Sequence, residues 1–310
     1  MNKNYKFIPI TKNEADSRLD RVIHKLYPYL NQACIEKALR SKFITVNQQK
    51  AKSNYRLNLG DHLQISDHLI EEKYSTNQNK KHVSNSDIKL IEDNIIYRDV
   101  DIIVLNKPAG LAVQGGSNIK ISVDDIMPHI LERLEVWEKP VHKLVHRLDK
   151  ETSGILVIAL NNDSARRLAE AFKEHYVEKK YLAIITGKIS VNNGQISSYI
   201  NKDSKEIKAD NAITNYKVIA RKANASLIEF KPITGKTHQL RLHSLELGYP
   251  ILGDLKYDPN LCDQKQANLH LHAAEICIPH QGSYLRLKAD LPEYFNKSIK
   301  EIFGVVKNIL

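Results

Sequence analysis

Leu19, Val22, Ile23 and Leu26 recur at i, i+3, i+4 and i+7, the spacing of one apolar helix face, and Pro28 ends the run. A second amphipathic stretch from Asn31 to Arg40 buries Ile35, Ala38 and Leu39 and turns Lys37 and Arg40 outward. Phe43–Val46 then reads as a strand, Asn47-Gln48 as a turn, and Leu57–Ile65 as a strand interrupted by the turn Asn58-Leu-Gly-Asp61. Two helices followed by short strands predict a small α/β module over residues 1–66. The apolar pattern lapses over 67–87, where Glu71-Glu-Lys73 and Ser75-Thr-Asn-Gln-Asn-Lys-Lys81 offer little to a core. That stretch predicts a linker, with a little edge structure near Leu69–Ile70.

From residue 88 to residue 310 the pattern is different. Asp101–Leu105 is a buried-strand run, followed by the Pro- and Gly-rich turn Asn106–Gly110. Helical spacing returns over Asp124–Glu135 through Ile126, Ile130, Leu131 and Leu134. Ile155–Leu160 is a strand, after which Asn162 or Asp163 is expected to cap a helix carrying Ala165, Leu168, Ala169 and Phe172. Tyr181–Thr186 reads as another strand, and Tyr216–Ala220 pairs with Ser226–Lys231 around a turn at Arg221–Ala225. Strands without strict βα alternation predict an α+β domain with a mixed, largely antiparallel sheet.

The chain has 310 residues, 42% apolar and 26% charged, and no run approaches the roughly 18–20 apolar residues of a membrane span. Met1–Tyr5 is polar and lacks a signal-peptide core. Cys34, Cys262 and Cys277 are too few and too scattered for a disulfide framework. These features predict a cytoplasmic protein away from membranes, and a monomer is expected. The net charge is +10, and residues 1–65 hold 12 Lys and Arg against five acids, or +7 of it. So uneven a distribution suggests a basic module, with a polyanion such as RNA as partner, joined to a nearly neutral one.

Four segments can carry chemistry. His146-Arg-Leu-Asp-Lys-Glu-Thr-Ser-Gly154 sets one carboxylate, Asp149, between Arg147 and Lys150, directly before the apolar strand. Asn106-Lys-Pro-Ala-Gly-Leu-Ala-Val-Gln-Gly-Gly116 is a turn whose Pro and Gly serve backbone shape, with Lys107 able to approach phosphate. Glu178-Lys-Lys-Tyr181 places Lys180 and an aromatic at a strand head. In Thr234-Gly-Lys-Thr-His-Gln-Leu-Arg-Leu-His243, Gly235-Lys-Thr237 looks like the end of a phosphate-binding loop, but Phe230 stands where that loop needs its first glycine.

In chain order, with the Asn106 segment ahead of the Asp149 turn, the four segments resemble the RluA family of pseudouridine synthases, over about residues 90–290. The resemblance implies that Asp149 is the catalytic carboxylate, that Tyr181 stacks on the target uracil, and that Arg241 pairs with Asp149. It further implies that Arg147 enters the RNA and fills the space of a flipped nucleotide. Lys107, Lys150, Lys180, Lys236 and His238 are the remaining candidates for RNA contact. Lys236 stands where the family usually has Arg, which keeps the charge but loses bidentate phosphate recognition. No cofactor or metal is implied. Base extrusion is required physically, because neither C1′ nor C2′ of the sugar can be reached in a stacked helix.

Residues 16–65 resemble the S4-type RNA-binding domain through Arg18-Leu-Asp-Arg21, Ile35-Glu-Lys-Ala-Leu-Arg40, Ile44-Thr-Val-Asn47 and Leu59-Gly-Asp61. Lys37, Arg40 and Lys42 are its candidate RNA contacts. Asn31-Gln-Ala33 departs from the usual Ser-Arg-Ser, and Lys42 and Gln48 occupy positions usually held by Gly. With this module in front, the chain resembles the branch of the family that acts on large-subunit ribosomal RNA.

Two other classes compete. Thirteen histidines, including His142/His146 at i, i+4 and His270/His272 at i, i+2, invite a metal hydrolase. There is, however, no His-Glu-x-x-His, no Cys-x-x-Cys and no adjoining acidic cluster. A non-catalytic RNA-binding or ribosome-assembly factor would use the basic module alone and would have no need of Asp149.

Overall fold

A computed structural model describes residues 5–11, 14–27, 30, 32–67, 69, 82–116, 119–134, 142–200, 211–261 and 267–306. The chain divides into two compact units, Met1–Lys80 and Lys81–Leu310. Among the described residues no helix is long and apolar enough to cross a membrane.

In the first unit, β1 (Tyr5–Pro9), β2 (Ile44–Val46) and β3 (His62–Ser66) form an antiparallel sheet in the order β1-β3-β2. Helices α1 (Leu19–Leu26) and α2 (Gln32–Arg40) bury Leu19, Val22, Ile23, Ile35, Ala38 and Leu39 with Ile44, Leu63 and Ile65 of the sheet. The turn at Asn58–Asp61 is held by the Asp61 carboxylate, which accepts from Asn58 N at 2.8 Å, Asn47 Nδ2 at 2.8 Å and Tyr55 Oη at 3.2 Å. Lys42 and Gln48 have φ of 57° and 65°. The backbone there is left-handed, which is the physical reason a glycine suits both positions. Strand β1 was not foreseen in the sequence. Pro28, Asn31, Ile70 and Ser75–Lys81 lie outside the described residues, as does most of the expected linker, whereas Gln32 and Ala33 of the Asn31–Ala33 segment open α2. The end of that linker is corrected, however. Ser84 and Asp87 form a reciprocal capping box at the start of α3 (Asn85–Glu92).

The second unit is built on a ten-stranded sheet. Its main path is β4 (Ile95–Arg98), β5 (Ile102–Lys107), β7 (Ser153–Ala159), β12 (Leu271–His280), β8 (Glu178–Ile185), β11 (Ala225–Pro232), β10 (Asn211–Lys222) and β9 (Asn193–Tyr199). Off that path, β6 (Lys143–Leu144) pairs with β7, and β13 (Ser283–Lys288) pairs with β12. The β7–β12 pair is parallel and the other ladders are antiparallel, so the sheet is mixed and largely antiparallel as expected.

Strands β5 and β7 read as unbroken apolar runs because both of their faces are covered. Ile103, Leu105, Leu156 and Ile158 pack against α3 and α4 (Val123–Arg133), while Ile102, Val104, Ile155 and Val157 pack against α5 (Asn162–Lys173). Helices α6 (Gln239–Glu246) and α7 (Glu293–Phe303) contribute to the two remaining cores, through Leu240 and through Phe295, Ile299 and Phe303. Two local expectations are corrected. Asn161, not Asn162 or Asp163, caps α5, accepting from Ser164 N at 2.8 Å. The β10–β11 hairpin is tighter than the expected turn, with Arg221 opposite Ser226 and Lys222 opposite Ala225.

Candidate active site

The segment His146–Thr152 forms the turn between β6 and β7 and presents the partly buried Asp149 at the head of the buried strand. Two local features hold it. Thr152 N donates to Asp149 O at 3.1 Å, and Gly110 N donates to Lys150 O at 2.8 Å. Gly154, next in line, has φ of 108° and sits so close to β12 that a Cβ there would lie 2.3 Å from Ala273 O. The motif ends in glycine because strand and neighbour could not otherwise pair.

Lys107 was expected to be able to reach phosphate, and that is corrected. The side chain is fully buried, and its ammonium donates to Pro108 O at 2.9 Å, Leu111 O at 2.8 Å and Lys150 O at 3.2 Å. It ties the Pro-Gly turn to the Asp149 turn from behind, and burial pulls its pKa down to about 7. Lys180 is corrected too. It pairs with Glu275 at 2.9 Å and lines a different pocket from Asp149. Lys150 is exposed and is not among the residues lining the Asp149 cleft.

That cleft holds about 380 Å³, within the range of small-molecule sites. Arg147, Lys173, Lys179, Lys236 and Arg241 line it, with Asp149 as the one acid among its described lining residues. Tyr181 forms part of the wall, and burial, with Asp149 adding to it, raises its phenol above the ordinary range. Lys179, one strand-face repeat before Tyr181, also lines the cleft, and burial lowers its pKa to about 8.

Arg241 stands at 3.9 Å from Asp149, Nη1 to Oδ2, as the resemblance implied. Its stronger partner was not foreseen. Nε donates to Asp254 Oδ2 at 2.7 Å and Nη2 to Asp254 Oδ1 at 2.5 Å, a bidentate pair with both side chains buried. One nitrogen is left to face Asp149. The signal available was electrostatic: a buried guanidinium requires a carboxylate, and Asp254 closes the glycine-bearing segment Gly248-Tyr-Pro-Ile-Leu-Gly-Asp254.

His238 sits at the N-cap of α6 with left-handed backbone, φ 56° and ψ 20°. Its Nε2 is 3.9 Å from Asp149 Oδ1. Next in chain, Gln239 is buried and holds the loop in shape. Its Oε1 accepts from Thr234 Oγ1 at 2.8 Å and from Lys236 N at 2.9 Å, and its Nε2 donates to Thr214 Oγ1 at 2.9 Å. Sequence reasoning quoted this glutamine without a role for it.

The histidine pairs do not converge on a shared point. His146 Nε2 accepts from Val157 N at 2.8 Å, whereas His142 Nε2 meets Asp124 at 2.9 Å. His272 Nδ1 meets Ser153 Oγ at 2.9 Å, and His270 Nε2 meets Ser298 Oγ at 2.8 Å. In the first unit Lys37, Arg40 and Lys42 are exposed, and Arg40 lines a groove with Arg18, Lys50 and Lys52.

Comparison with known proteins identifies the family. Residues 101–246 match the family model described as RNA pseudouridylate synthase. Ribosomal large subunit pseudouridine synthase C of Rickettsia felis is 42% identical over 302 residues, covering 92% of this chain and 96% of that one. The protein of the same description from Escherichia coli is 30% identical over 317 residues, covering 96% of each. The solved structure of human RNA pseudouridylate synthase domain containing 4 matches with a TM-score of 0.60 at 32% identity, covering 68% of this chain and 94% of that one.

Proposed function

The chain belongs to the RluA family of RNA pseudouridine synthases, and from that premise we propose that it isomerises uridines of large-subunit ribosomal RNA with Asp149 as the reacting carboxylate. The observation that carries this is the placement of Asp149 as the sole acid among the described residues of a cationic cleft, beside Tyr181 and Arg241. The N1–C1′ bond breaks, the uracil turns, and C5 joins C1′; C5 loses a proton and N1 gains one. Atoms balance with no co-reactant, so the reaction calls for no cofactor. Asp149 begins it either by attacking C1′ or by taking the C2′ proton, and both routes start from the same carboxylate.

A uridine can meet Asp149 only by leaving its stack. Arg147 is exposed at the cleft and is suited to fill the gap, offsetting the few kcal/mol lost on unstacking. Tyr181 supplies a flat face for the base. Because burial raises its phenol, Tyr181 enters as the neutral hydroxyl and can take the C5 proton only while passing its own onward. Lys236 and the Thr234–Thr237 loop face the same cleft and suit a phosphate or sugar oxygen. The ribosomal substrate rests on the descriptions of the relatives, and the first unit supports it as an S4-type module presenting Lys37, Arg40 and Lys42. A monomer acting in the cytoplasm fits this reading.

The test is Asp149→Asn. Tritium release from a 5-tritiated uridine transcript should fall to background, while RNA affinity stays within a few fold of the parent. Normal turnover by that variant would sink the assignment.

A further inference from the structure

The two oxygens of Asp149 face different donors, and only one of these, Arg241, is explained by the reading above. The other is His238, whose Nε2 lies 3.9 Å from Oδ1. At its far side the ring is gripped twice: Tyr257 Oη is 2.7 Å from Nδ1, and Lys256 Nζ is 3.2 Å from Nδ1. An ammonium has hydrogens to give and no lone pair to offer, so Nδ1 must be the acceptor. The neutral ring therefore carries its proton on Nε2, the nitrogen that faces Asp149.

The same short segment organises both donors. Asp254 binds Arg241 bidentately, and its Oδ1 also accepts from Lys256 N and Tyr257 N, each at 3.1 Å. Tyr257 lies edge-on to His238, with ring centroids 5.6 Å apart, and under the Arg241 guanidinium at 4.9 Å. The backbone of His238 is left-handed, a conformation that is costly for a non-glycine residue and that clusters at functional sites. A residue needed only to cap α6 would not have to bear that cost, and His238 makes no side-chain cap.

We propose that His238 is a positioning residue: as the Nε2–H tautomer set by Lys256 and Tyr257, it donates to Asp149 Oδ1 and, with Arg241 on Oδ2, fixes the plane of the reacting carboxylate. This rests on the reading of Asp149 as the reacting group. The 3.9 Å separation closes to a hydrogen bond when the nucleotide enters, as contacts of substrate-free sites commonly do. The charged groups facing the ring are Asp149, Arg241, Lys256 and Asp254, and burial, opposed by Asp149, keeps it below the ordinary imidazole range.

Side-chain substitution separates this role from a structural one. The amide nitrogen of Gln reaches the position of Nε2, whereas that of Asn reaches only the position of Nδ1. Asn, however, is the side chain that best tolerates left-handed backbone. The positioning role therefore requires His238→Gln to retain more single-turnover activity than His238→Asn, which should lose about 10- to 100-fold at unchanged RNA affinity. The opposite order would show that only the backbone matters and would overturn the proposal. Nitrogen-15 NMR of histidine-labelled full-length protein, with the His238→Gln spectrum identifying the resonance, tests it without activity. Nε2 protonated and Nδ1 bare at neutral pH is the expected result, and the reverse tautomer overturns it. Asp149→Asn, run in parallel, keeps the two ideas apart. If that variant turns over normally, the reading of Asp149 fails; if it is inactive and Asn still surpasses Gln, the role of His238 alone fails.

Discussion

A lysine held among three carbonyls, with no carboxylate bonded to it among the described residues, is a costly placement at the level of single residues. Lys107 makes its bonds to Pro108 O, Leu111 O and Lys150 O, and burial lowers its pKa to about 7 from an ordinary value of 10.5. Between those two values the unfolded chain binds the proton that the folded chain has released. The destabilising contribution is then full below pH 7, shrinks as pH rises, and is gone near 10.5. Lys179, lowered to about 8, adds a smaller effect of the same sign in the upper part of that window. Urea unfolding between pH 7 and 9.5 should show stability rising with pH, and the slope should flatten in Lys107→Met. An unchanged slope in that variant would mean that the amine is not the source. Lys107 also marks a boundary of what was legible. The strand-to-turn pattern around it could be read, but its charge suggested an outward role, because nothing local to the sequence reports that Lys150 O lies above it.

At the scale of elements, local signals carried far and distant pairings did not. The four-residue apolar spacing of α1 and the unbroken runs of β5 and β7 reflect one face or two faces against a core, which periodicity reads directly. The parallel neighbour of β7 is β12, where His272 stands opposite Ser153, and residues that far apart leave no mutual trace in one sequence. Asp254 escaped a role for the same reason, although Asp149, Tyr181 and Arg241 were singled out together. Gly154 is where that hidden pairing surfaces in the motif. Its left-handed φ of 108° and the space filled by Ala273 leave no room for a methyl group. Gly154→Ala should cost more than about 3 kcal/mol, through backbone strain and a forced separation of β7 from β12. Denaturant melts would check this, and a loss below about 1 kcal/mol would show that the strands part easily. Because the Asp149 turn is anchored at this strand head, activity per folded molecule should fall as well.

At the scale of the whole molecule, charge and chemistry are divided between the units. The single-acid cleft belongs to the second unit, whereas +7 of the net +10 lies in the first 65 residues. On the proposed function, a cleft that takes one nucleotide has little means of choosing among the many uridines of a long RNA, so the basic unit is expected to supply affinity that chemistry does not. Lys37, Arg40 and Lys42 are exposed there, and each phosphate contact releases about 0.7–0.9 of a counterion. Replacing all three by Ala in the full-length chain should reduce the slope of log K against log salt by about two to three and weaken binding most at low salt. The single-turnover rate at saturating RNA should stay near the parent value, since none of the three lines the Asp149 cleft. A rate that falls while the salt slope holds would place these side chains in the chemistry instead of the docking. An unchanged slope together with an unchanged rate would leave the basic face a solubilising surface.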